Sequence, residues 1–88
     1  MTWRLQVAAS AERALARLPE GVAAAIVEFM VGPLCDEPER VGKPLQRELA
    51  GYRSARRGAY RVVYRLVPDD HLIRVVRIEH RSDVYRNR

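Results

Sequence analysis

Hydrophobic and polar positions alternate at the start of the chain. Trp3, Leu5 and Val7 fall on one side of an extended segment and Arg4 and Gln6 on the other, the period of a strand with one buried face. The period then lengthens. Ala11, Ala14, Leu15 and Leu18 recur at helical spacing behind Ser10, a good N-cap, with Glu12 in the first turn. Pro19 interrupts, and its fixed φ suits the first turn of a second helix. That helix has a broad apolar face of Val22, Ala23, Ile26, Val27, Phe29 and Met30. It is predicted to end near Gly32-Pro33, or to run a turn further with a kink. The two helices form an antiparallel hairpin. Residues 36–51, punctuated by Pro38, Gly42, Pro44 and Gly51, read as a connector from which Leu45 and Leu49 can dock on the core.

The second half is strand-like. Tyr52–Arg57 has weak strand character, whereas Tyr60–Val67 is rich in aromatic and β-branched residues. Pro68-Asp69-Asp70 is turn chemistry, and Leu72–Ile78 is the returning strand. Ser82–Arg86 reads as a short turn of helix. The order β-α-α-β-β-β predicts a single α+β domain over residues 1–88: an N-terminal strand, a two-helix hairpin, then a three-stranded antiparallel meander. The helices pack on one face of a four-stranded sheet.

A chain of 88 residues, 48% hydrophobic, can build one core. Its single cysteine, Cys35, allows no internal disulfide and fits a reducing, cytoplasmic setting; it reads as a packed thiol. No apolar run reaches the roughly 18 residues of a membrane helix. The N-terminus has no apolar signal core and reads as part of the fold. Charge changes the picture more. The net charge is +5, but residues 1–38 carry −2 and residues 39–88 carry +7, and of the 16 cations only Lys43 is a lysine. A GC-rich genome favours arginine, but it does not explain the asymmetry. An arginine-rich half points to a polyanion or an acidic protein partner.

On the strong strand, Tyr60, Val62, Tyr64 and Leu66 share one face and Arg61, Val63, Arg65 and Val67 the other. A tight turn at Gly58-Ala59 would bring Arg53, Arg56 and Arg57 beside Arg61. Parity on the next strand groups Arg77 with Arg81, and His80 and Arg81 end that strand. Such a face can hold a sugar-phosphate chain while Tyr85 stacks on a base. From spacing alone, the same arginines can equally decorate the wet face of a half-exposed sheet. No Cys/His spacing supports a metal, and the glycines are too scattered to cradle a phosphate, so no cofactor is expected. Trp3 reads as core and His71 as a solvated turn residue.

The runs Gly42-Lys43-Pro44-Leu45, Gly51-Tyr52-Arg53-Ser54-Ala55-Arg56-Arg57-Gly58-Ala59-Tyr60-Arg61-Val62-Val63-Tyr64 and His80-Arg81-Ser82-Asp83-Val84-Tyr85-Arg86 carry a resemblance. Together they resemble the RelE-type toxins of the RelE/ParE superfamily over nearly the whole chain. The resemblance implies a ribosome-dependent endoribonuclease that cuts mRNA and so inhibits translation. The 2′-OH attacks the adjacent phosphate without a metal, which needs a base, cations for the pentavalent phosphate and an acid for the leaving oxygen.

By that resemblance Arg61 contacts the scissile phosphate, and Arg81 and Tyr85 match the C-terminal arginine and the base-stacking tyrosine. Arg53 falls at one basic RNA-binding position, and Arg56 or Arg57 supplies a second. Some members place lysines where Arg53 and Ala55 stand here, and others a glutamate where Leu45 stands, so the base is unassigned. Histidine is the side-chain type that changes charge near neutral pH, which makes His80 a candidate acid or base beside a packing role. The resemblance also implies a cognate acidic antitoxin of the RelB/Phd kind, in a hetero-oligomer, with the ribosome and mRNA as targets. A ParE-like toxin that poisons DNA gyrase by binding is the alternative, and a degenerate toxin kept as a co-repressor is a third reading.

Overall fold

The opening alternation becomes strand β1 (Arg4–Val7). In the computed structural model, which describes residues 2–82, this strand leads into helices α1 (Ala9–Ala16) and α2 (Glu20–Phe29). Pro19 stands at the N-cap of α2. Ser10 does not cap α1. The cap is Ala8, and Ser10 Oγ donates instead to the Val76 carbonyl in the sheet, at 3.1 Å. Beyond Phe29 the helix widens into a π-turn over Met30–Leu34 that contains Pro33. Proline has no N–H to donate, and a widened turn accommodates the missing bond. Of the two readings of the sequence, an end near Gly32-Pro33 or a further turn, the further turn is the one found.

A short helix α3 (Pro38–Val41) then precedes strands β2 (Lys43–Pro44), β3 (Arg53–Arg57), β4 (Tyr60–Val67) and β5 (Leu72–His80). The sheet order is β1-β5-β4-β3-β2, with β1 parallel to β5 and the other pairs antiparallel. The expected four strands are thus corrected to five. Lys43 and Pro44, inside the apparent connector, pair with Ser54 and Arg53. Two residues are too few to show a period, and proline is tolerated only at a sheet edge, so no sequence pattern marks this strand.

The helices cover one face of the sheet. Ala11 of α1, Ile26 of α2 and Met30 and Leu34 of the π-turn pack against Val62, Tyr64, Ile73, Val75 and Ile78. Tyr64 is fully buried, and its hydroxyl donates to the Pro38 carbonyl. Gly42 lies against it. A Cβ on Gly42 would run into Tyr64 Oη and stand 2.9 Å from the Ser54 carbonyl oxygen. Replacing Gly42 by alanine is therefore expected to destabilise the fold by about 1–3 kcal/mol, the usual range for overpacking. Thermal or urea denaturation measures this; an unchanged midpoint would mean that the segment before β2 yields freely.

Candidate active site

The uncovered face of the sheet is built from alternation on three strands. On β3, Ala55 is buried under the helices, so Ser54 and Arg56 take the opposite side. Ser54 pairs with Lys43 on one flank and Val63 on the other; Arg56 pairs with Arg61. Val41, Lys43, Ser54, Arg56 and Arg61 line a cleft of about 370 Å³. Beside it, Val63 is 1% exposed yet lies outside the main core cluster, forming an apolar floor among the polar side chains.

A register slip completes this face. Between β4 and β5, Val63 pairs with Arg77 but Tyr64 pairs with Val75, leaving Val76 as an extra residue. Strict alternation from the buried Ile73 and Val75 would carry Arg77 and Glu79 into the core. The bulge resets the parity, so that Ile78 is buried and Glu79 stands opposite Arg61. Two contacts hold the bulge to α1 and its approach: Ser10 Oγ donates to the Val76 carbonyl, and the Ala8 N–H donates to the Val75 carbonyl at 2.8 Å.

Arg61 Nε donates to Glu79 Oε1 at 2.8 Å, and Arg77 Nη1 donates to Glu79 Oε2 at 2.9 Å. Burial alone pushes the Glu79 carboxyl up. The hydrogen bonds from Arg77 and Arg61, and their charges, outweigh it and hold the group below the usual carboxylate range. The lowered value makes the carboxylate stabilising above the ordinary glutamate range. That contribution is lost as pH falls through the lowered folded value, because the unfolded chain takes up the proton first. The melting temperature of wild type relative to Glu79→Gln is therefore expected to decline in acid, as measured by thermal melts across that range. A pH-independent difference would mean that Glu79 titrates alike in both states.

The other sequence-derived candidates divide. Arg56 joins Arg61 at the cleft. Arg53 shares Ala55's side of β3, and its Nη2 donates to the carbonyls of Glu39 at 2.8 Å and Gly42 at 3.0 Å. It clamps the segment before β2. Arg57 also faces the helix side, where it borders apolar grooves beside α2. His80 pairs with Tyr60, and the two rings meet edge-to-face with centroids 5.0 Å apart. Its Nδ1 accepts the Ser82 N–H at 3.1 Å, which places the proton of the neutral ring on Nε2. Arg81 is exposed at the end of β5, and its N–H donates to the Ala59 carbonyl at 2.8 Å. Tyr85 lies outside the described residues.

Lys43 and Glu79 were not singled out from the sequence for this site. Lys43 belongs to the strand that no pattern marks, and Glu79 reaches the face only through the bulge. Among the described residues, no group of three His, Cys, Asp or Glu side chains is placed to hold a metal ion. Nor is any helix there long and apolar enough to cross a membrane.

Residues 4–85 match the family model described as the ParE toxin of type II toxin–antitoxin systems, parDE. The chain belongs to this toxin family. Its relatives include Toxin RelG of Mycobacterium tuberculosis, 48% identical over 86 residues, covering 98% of this chain and 99% of the relative. Toxin RelE of the same organism is 49% identical over 84 residues, covering 96% and 87%. The toxin also superposes on the crystal structure of the toxin–antitoxin complex RelBE2 from M. tuberculosis. The TM-score is 0.89 at 46% identity, covering 92% of this chain and 100% of that one. The expected α+β RelE-like fold is thereby established, with the strand count corrected as above.

Proposed function

We propose that this toxin is a metal-independent endoribonuclease that cuts ribosome-bound mRNA and stops translation. The cluster of Arg56, Arg61 and Lys43 around one cleft on the uncovered sheet face carries the reading. Arginine presents a planar fork that matches phosphate, and such groups on strands are held with little freedom to lose. Phosphate oxygens at the cleft meet Arg61 and Arg56, which stabilise the charge that grows in the pentavalent transition state. The 2′-oxygen bonds to phosphorus as the bond to the 5′-oxygen breaks, leaving a 2′,3′-cyclic phosphate and a 5′-OH. Arg81 and Tyr85 are proposed, on the family resemblance, to contact the substrate and stack on its base.

His80 is not among the side chains that line this cleft; its ring meets Tyr60, and its Nδ1 is engaged by Ser82. Lys43 lines the cleft with Arg56 and Arg61 and adds a third cation for the phosphate oxygens. In the cell, the toxin is proposed to pair with an acidic antitoxin in a hetero-oligomer. A groove of about 360 Å³, lined largely by apolar groups of α2 and the β3–β4 turn with Arg57 beside it, suits a segment with apolar and acidic side chains.

Induced expression followed by mapping of mRNA 5′ ends in the first minutes tests the reading. Coding-region cleavages that disappear when ribosomes are kept off the message are expected. The alternative is a ParE-like toxin that poisons DNA gyrase by binding. Intact messages with failing DNA supercoiling would select it.

A further inference from the structure

The presence of Glu79 on a face built to attract phosphate needs a reason. A carboxylate there repels the substrate. Yet Glu79 is directly opposite Arg61 in the register, and the side chains of Arg61 and Glu79 are only 24% and 15% exposed. Both of its oxygens are used, Oε1 by Arg61 Nε and Oε2 by Arg77 Nη1. An acceptor held by two cations is a poor base, so proton abstraction does not explain it. Geometry does. A guanidinium has five N–H donors in one plane. With Nε–H committed to Glu79, the plane of Arg61 is set, and its two Nη groups remain to grip a phosphate.

We infer that Glu79 is a positioning residue: anchored by Arg77, its carboxylate fixes the Arg61 guanidinium so that the Nη groups meet the scissile phosphate. This rests on the nuclease reading of the cleft. A flexible arginine must lose side-chain freedom each time it engages substrate, whereas a held one has already lost it. The relay Arg77–Glu79–Arg61 spans β5 and β4, and it exists because the bulge at Val76 turns Arg77 and Glu79 outwards.

The test compares wild type, Glu79→Ala and Glu79→Gln in single-turnover cleavage of ribosome-bound mRNA, with the Arg61 Nε–H resonance followed by NMR. Glu79→Ala is expected to slow cleavage at saturating substrate by about tenfold or more, as misplaced catalytic groups do. Glu79→Gln keeps an oxygen for Arg61 Nε and is expected to recover most of the rate. The Nε–H should exchange slowly with solvent in wild type and Glu79→Gln, and fast in Glu79→Ala. Cleavage by Glu79→Ala at the wild-type rate or faster would overturn the inference and leave the nuclease reading intact. If wild type cuts nothing, the nuclease reading fails by itself, and equal Nε–H exchange in all three proteins would overturn the positioning as well. Should Glu79→Ala not fold, Arg77→Ala serves: it releases only the outer end of the relay and is expected to give a smaller rate loss with the same faster exchange.

Discussion

Arg61→Ala is expected to abolish growth arrest and to slow mRNA cleavage by about 10²–10³-fold, the loss typical when one transition-state donor is removed. That corresponds to roughly 2.7–4 kcal/mol of transition-state stabilisation. The fold should survive, because Arg61 stands on the uncovered face while the neighbours Val62 and Tyr64 hold the core. Glu79 keeps its contact with Arg77, so no carboxylate is stranded. Purified variant and wild type are compared in a ribosome-programmed cleavage assay, with circular dichroism as the fold control. A folded Arg61→Ala protein that still arrests growth while supercoiling fails would show that the target is not mRNA.

Arg53→Ala is expected to act on stability, not on RNA. The side chain of Arg53 donates two hydrogen bonds, to the Glu39 and Gly42 carbonyls, that tie the segment before β2 to the sheet. Hydrogen bonds from a charged group contribute roughly 1.5–3 kcal/mol each, and the part-buried Gly42 carbonyl left without a donor adds to the loss. A drop of about 3 kcal/mol in unfolding free energy is the expected result. Lys43 follows that segment directly, so cleavage should fall as a secondary effect of a loosened β2. Arg56→Ala should do the reverse, weakening RNA binding and its salt dependence while leaving stability near wild type. Urea denaturation and RNA affinity at two salt concentrations separate the two variants. If Arg53→Ala unfolds like wild type but binds RNA poorly, Arg53 belongs to the RNA-contacting face after all.

These two arginines show how far local pattern reaches. Both lie on β3, and sequence alone could treat them as equivalent basic residues beside Arg61. What separates them is the single fact that Ala55 faces the helices, which sends Arg53 and Arg57 one way and Ser54 and Arg56 the other. A small residue amid arginines gives little periodic signal, so the parity of β3 was not legible. The placement of His80 depends on the same kind of parity. The sequence leaves it a candidate acid or base beside a packing role, and its side chain follows Ile78 towards the covered side and meets Tyr60.

By itself the sequence determined the α+β class, β1, the two successive helices, and the hairpin of β4 and β5. It also determined the basic second half and the outward face of Arg61. All of these rest on periods repeated over several residues, which neighbours in the chain enforce. The tertiary structure alone decided the fifth strand that brings Lys43 to the cleft and the inward turn of Arg53. It also decided the bulge at Val76 that sets Glu79 against Arg61. Each of these depends on a partner strand or helix distant in the sequence, whose hydrogen-bonding groups and packing surface decide which local arrangement prevails.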